Sequence, residues 1–174
     1  SSTVPGELTR ALAPLREQLE QLSDDVHTLA YRLHPSLLEH AGLRPAVEEH
    51  VHQVSRRTGL PIHLKMLDVP DAVPLDQATC LFRVMQESVQ NVVKHAQATT
   101  VTVQLRGSLK GVGLSVIDNG TGFDSQDLRT HQQGLGLSSM EERLRQLHGF
   151  FRIQSRPSHG TKVCAWVPCE VEVA

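Results

Sequence analysis

The chain has 174 residues, 39% hydrophobic, 21% charged and only 3% aromatic, with 17 basic residues against 19 acidic ones. Such a chain fits one domain of ordinary size with a short appendage. It holds no run of ~18 apolar residues to span a bilayer, and it lacks the positive charge and aromatic surface of a general nucleic-acid binder. Its three cysteines form no CxxC pair, and its start, SSTVPGELTR, has no apolar signal-peptide core, so a cytoplasmic location is expected. The ten histidines show no HExxH or zinc-ligand spacing and read as scattered surface residues.

From Leu8 to Leu33 the apolar residues fall at Leu8, Leu12, Leu15, Leu19, Leu22, Val26, Leu29 and Leu33. Steps alternating between four and three make a heptad seam, expected of a helix packed on partner helices. A single amphipathic surface helix is the simpler alternative. Pro14 either opens this helix or kinks it, and Pro35 ends it.

The remainder reads as a compact α/β domain. A helix is expected over Leu43–Arg57, closed by Thr58-Gly59, then a strand over Ile62–Leu67 and a loop bounded by Pro70 and Pro74. A long helix follows, Leu75–Ala96, containing LFRVMQESVQNVVKHAQA. Thr100–Arg106 and Val112–Asp118 alternate with period two and pair as a hairpin. After NGTGF and a polar stretch, GLGLSSMEERLRQLHG is a helix with glycines at its start. FFRIQSR and TKVCAWV are closing strands joined by a turn at Pro157–Gly160.

Three segments carry candidate chemistry. On the long helix, at ~100° per residue, Glu87, Asn91 and Lys94 share one stripe, flanked by His95 and opposite the apolar face of Ala78, Met85, Val89, Val92 and Ala96. A solvated face would look the same, but carboxylate and amide oxygens are also hard ligands of the kind Mg²⁺ accepts. In IDNGTGFD, Asp118 ends a strand and the glycines let backbone approach a ligand closely; a plain turn is the bland alternative. In GLGL, Gly134–Leu137, a helix start offers amides to phosphate, or else a hinge. It is a poor match to GxGxxG, and no GxxxxGK[ST] occurs.

The order of these segments is more specific than any one of them. ExxxNxxKH, then DNGTGF, then GLGL, then Gly160-Thr161 in a closing strand resembles the ATP-binding domain of the histidine kinase, gyrase, Hsp90 and MutL superfamily. The resemblance covers about Leu43 to Pro168. YRLHPSLLEHAGLRPAVEEH, QESVQNVVKHAQA and GLGLSSMEERLRQLHG are further similar to two-component sensor histidine kinases of the branch with the nitrate sensors and the desaturase-regulating thermosensor.

The resemblance implies an α+β fold: a two-layer α/β sandwich of Bergerat type, a mixed sheet with helices on one face, preceded by one long dimerisation-type helix. It places the second helix of a dimerisation bundle in residues 1–40, the catalytic ATP-binding domain in 41–169 and a tail in 170–174. It makes Asn91 the Mg²⁺ ligand and Glu87 the general base, with Lys94 and His95 near the phosphates. It gives Asp118 the adenine amino group, with Gly120 and Gly122 shaping the pocket and Thr161 supporting it. Gly134, Leu135 and Gly136 become the hinge and phosphate-contacting segment after a lid at Ser125–Gln133.

ATP and Mg²⁺ are the implied cofactors. A response regulator with a helix-turn-helix output domain and a second copy in the full-length protein are the implied partners, with no direct nucleic acid. The family's phosphate-accepting histidine precedes an acidic residue, whereas His27 precedes Thr28 and His34 precedes Pro35. The chain is therefore expected to be a fragment that binds Mg-ATP without phosphorylating itself. A degenerate interaction module and an anti-sigma-factor serine kinase are the alternatives.

Overall fold

A computed structural model of the chain describes residues 36–124 and 135–169, the side chains of Ser36 and of 135–139 excepted. The heptad segment Leu8–Leu33, His27, His34, the expected lid at Ser125–Gln133, Gly134 and the tail 170–174 lie outside the described residues.

The described chain runs α1 (Ser36–Ala41), α2 (Leu43–Thr58), β1 (Ile62–Leu67), α3 (Leu75–Asn91), a π-helical segment (Val92–Ala96), β2 (Val101–Ser108), β3 (Gly111–Asp118), α4 (Leu135–Gln146), β4 (Phe150–Ser155) and β5 (Thr161–Pro168). Helix α1 was not expected from the sequence. It begins directly after Pro35, whose fixed φ suits the start of a helix as well as the end of one. Helix α2 closes on Gly59 in the left-handed region, where the Gly59 N–H donates to the Ser55 carbonyl at 2.9 Å.

One sheet holds all five strands in the order β1-β2-β3-β5-β4. β1 and β2 are parallel, as a crossover through α3 requires, and the other pairs are antiparallel. The expected hairpin is present: Val101 stands opposite Asp118, and Ser108 opposite Gly111 around a two-residue turn.

The inward residues Val101, Val103, Leu105, Val112, Leu114, Val116, Val163, Ala165 and Val167 are buried on one side of the sheet. Helix α3 packs there between α2 and α4, touching β3 and β5 as well. That position explains why its burial spreads over Ala78, Leu81, Phe82, Val84, Met85, Ser88 and Val89 rather than a narrow stripe. The architecture is the expected α+β sandwich with a mixed sheet. Among the described residues no helix is long and apolar enough to cross a membrane.

Candidate functional site

Glu87 and Asn91 lie one turn apart on the last turns of α3, both half-buried. The helix does not continue regularly to Ala96, as its apolar spacing suggests. After Asn91 it widens into the π segment Val92–Ala96 and ends on Gln97 in the left-handed region. In a turn closed by i→i+5 bonds the residue stacked over Asn91 is His95 rather than Lys94. Lys94 and His95 are both exposed, so the four polar residues form a bent edge rather than one straight stripe.

The end of the widened segment is held from the next layer. The Ala96 carbonyl accepts the Thr121 N–H at 2.7 Å, across to the loop that follows β3. Gly120 packs so closely there that a Cβ would overlap the Ala96 carbonyl oxygen, which only glycine avoids. Asn119 fastens the same junction. Its Oδ1 accepts the N–H groups of Thr99 and Thr100, each at 3.0 Å, and its amide donates to Thr99 Oγ1 at 2.8 Å. The helix bearing Glu87 and Asn91 is thus tied at its end to Asn119-Gly120-Thr121. Asn119 had no role in the sequence reading; its only signal was its place in the turn-forming run DNG.

Asp118 ends β3 with 6% of its surface exposed, an unusual place for a carboxylate. One carboxylate oxygen accepts the Gly120 N–H at 2.8 Å, and the other has no hydrogen-bond partner among the described residues. The β3–β5 register, which pairs Ile117 with Lys162, sets Asp118 across from Thr161. Gly160 lies against the Asp118 backbone, and Gly122, at φ 58°, against the Arg156 carbonyl.

Ser155 supports the same corner, and the sequence offered no signal for it. Its hydroxyl lies 3.0 Å from the Gly160 carbonyl and 2.9 Å from Thr161 Oγ1, and it accepts the Phe123 N–H at 2.9 Å. A single hydroxyl hydrogen satisfies this set only if Ser155 donates to Gly160 and accepts from Thr161. The Thr161 oxygen then keeps lone pairs free to accept. Asp118 and Thr161 together present acceptors, a match for a ligand amino group.

Asp118, Gly120, Gly122 and Thr161 are therefore brought together, with the Glu87–Asn91 helix end bonded to their loop. Leu135 and Gly136 occupy the first turn of α4. Among the described residues no group of three or more His, Cys, Asp or Glu side chains could hold a metal ion alone. Glu87 and Asn91 instead offer two hard oxygen donors on adjacent turns, which suits a cation that keeps water and phosphate in its shell.

Comparison with known proteins decides the family. Residues 76–171, more than half of the chain, match the histidine kinase-, DNA gyrase B- and HSP90-like ATPase family. The chain belongs to that family. The match spans α3, the Asp118 loop, α4 and Thr161, so the domain is an ATP-binding one.

Among curated relatives, the domain is 32% identical to the sensor histidine kinase ComP of Bacillus subtilis over 90% of this chain and 20% of that protein. It is 33% identical to the nitrate/nitrite sensor protein NarX of Escherichia coli over 93% of this chain and 25% of that protein. The chain thus spans a quarter or less of either relative's length. Among solved structures, the blue-light activated histidine kinase EL346 of Erythrobacter litoralis aligns with TM-score 0.63 at 21% identity, over 90% of this chain and 51% of that one. The catalytic domain of histidine kinase ThkA aligns with TM-score 0.58 at 16% identity, over 73% of this chain and 92% of that one. These structural likenesses share the fold.

Proposed function

We propose that this chain is the ATP-binding catalytic portion of a two-component sensor histidine kinase. The observation that carries the reading is the buried Asp118 carboxylate, half engaged by Gly120 and set across from a Thr161 oxygen held as an acceptor. Two acceptors in a recess lined by glycine backbone suit the exocyclic amino group and flat ring of adenine. Relatives that are sensor kinases supply the reaction class.

In this reading Asp118 and Thr161 hold the base, and Gly120 and Gly122 let backbone close on it. The Glu87–Asn91 edge, continued by Lys94 and His95, faces the phosphates, and Leu135 and Gly136 in the first turn of α4 contact them, with Gly134 assigned to the same role by sequence alone. Asn91 holds Mg²⁺, which when bound neutralises triphosphate charge and aligns the γ-phosphoryl group. Glu87 accepts the proton of the attacking imidazole.

Residues 41–169 make up the catalytic domain in this account, and 1–40 the second helix of a dimerisation bundle. The full-length protein is a homodimer, this portion works in the cytoplasm, and a response regulator takes the phosphoryl group onward. Membership of an ATPase family weighs against an interaction module that binds no nucleotide.

The test supplies Mg²⁺, γ-labelled ATP and the histidine-bearing dimerisation domain of a relative such as NarX. Labelling of that histidine is expected, lost in Glu87→Gln with nucleotide affinity kept within about threefold. Acid-labile phosphate on His27 or His34 of the chain alone would contradict the reading.

A further inference from the structure

The face of the sheet turned away from the helices carries a charge pattern that the net charge conceals. Strand register across the sheet gives three rows of five outward positions. The first runs Leu67–Arg106–Gly113–Trp166–Phe150. Over all three rows the face holds Lys65, Arg106, Arg152 and Lys162 and not one Asp or Glu, although acidic residues outnumber basic ones in the chain. Among the described residues none of the four cations has an ion-pair partner.

The layout is as informative as the sign. Lys65 and Arg106 are diagonal neighbours on β1 and β2, and Arg152 and Lys162 are diagonal neighbours on β4 and β5. Each pair is ~7–8 Å apart at the backbone. Between the pairs runs β3, with Gly113, Ser115 and Ile117 facing out. Beside it the ring centroids of Trp166 and Phe150 lie 6.4 Å apart at 21° between planes. Phe150 is 52% exposed. The indole lies down over the glycines of β3, close enough that a Cβ on Gly111 would stand 2.7 Å from its Cζ2.

We propose that this sheet face docks an acidic protein surface. Carboxylates of the partner meet the two cation pairs, and an apolar side chain of the partner seats on the Trp166–Phe150 rings. Two separated points of positive charge on either side of neutral β3, with an aromatic pair beside one of them on β5 and β4, match carboxylates dispersed over a folded surface. A nucleic-acid backbone calls instead for a continuous cationic track. An indole lying along the sheet does not project into acyl chains. The proposal stands independently of the nucleotide site.

Trp166 is the chain's only tryptophan, so its fluorescence reports this face directly. The experiment titrates poly-L-glutamate, a single-stranded oligo-thymidine and phosphatidylcholine vesicles with 30% phosphatidylserine into the chain. The same titrations use Arg106→Glu/Arg152→Glu and, as control, Arg57→Glu on α2. Poly-L-glutamate is expected to shift the emission, with affinity falling as salt rises and weakened about tenfold or more in the double variant only. Thermal unfolding of each variant confirms that it folds. Equal or tighter binding of oligo-thymidine or vesicles overturns the choice of a protein partner. No response in the parent, or an unweakened double variant, overturns the docking face itself.

Discussion

Asn119 Oδ1 accepts the Thr99 N–H at 3.0 Å while its own amide returns a hydrogen bond to Thr99 Oγ1 at 2.8 Å. With the further bond from the Thr100 N–H, this one side chain joins the Asp118 loop to the segment between α3 and β2. It couples the two halves of the candidate site through backbone rather than through a ligand. Asn119→Ala is expected to lower stability by about 1–2 kcal/mol, since these bonds are partly open to water. Asn119→Asp keeps the acceptor for both amides and loses less. Urea unfolding of the two variants checks the order.

Gly120→Ala tests the contact next door. Its methyl group would overlap the Ala96 carbonyl oxygen, so either the loop or the π segment must move. A loss of about 2 kcal/mol or more is expected, with nucleotide affinity falling further than in Asn119→Ala. Unfolding and nucleotide titration on the same samples separate the two effects.

His50 on α2 sits edge-on to Phe82, their ring centroids 5.7 Å apart. Burial, and then the nearby Arg57 charge, lower its pKa from 6.5 to about 4. The folded state therefore resists a proton that the unfolded chain takes up below about 6.5. The resulting stability is complete above that pH and is lost as pH falls through about 4, by up to about 3 kcal/mol. Unfolding free energy measured from pH 7 to pH 4 should fall accordingly, and His50→Leu should flatten that part of the slope.

Thiol chemistry should separate the cysteines. Burial raises the pKa of Cys80, though the Arg143 charge acts the other way, and burial raises that of Cys169 too. Both side chains are buried, while Cys164 is half-buried on the outer sheet face. In the native chain iodoacetamide at pH 8 should alkylate Cys164 well ahead of the other two. Peptide mass analysis reads the order.

Much of the architecture was legible because period-two and period-three-to-four patterns depend on burial alone. The β2–β3 hairpin, the closing strands and the apolar face of α3 all follow from such spacing. Asp118 and its glycines, which alone fit a plain turn, were legible through their order with ExxxNxxKH, GLGL and Gly160-Thr161. The π segment was not legible. Val92–Ala96 looks helical in sequence, and the Thr121 N–H that its last carbonyl accepts lies more than twenty positions away. Asn119 and Ser155 escaped notice because their roles are bonds to backbone that only folding brings near. The cationic outer face needed the register of all five strands.

Calorimetric titration of Mg²⁺ with a non-hydrolysable ATP analogue, into the parent chain and Asp118→Asn, tests the central claim most directly. The account predicts binding by the parent and a loss of at least about tenfold in the variant, whose amide can offer the adenine amino group only a weaker acceptor. Equal binding by both would place the base elsewhere. No binding by either would contradict the nucleotide site itself.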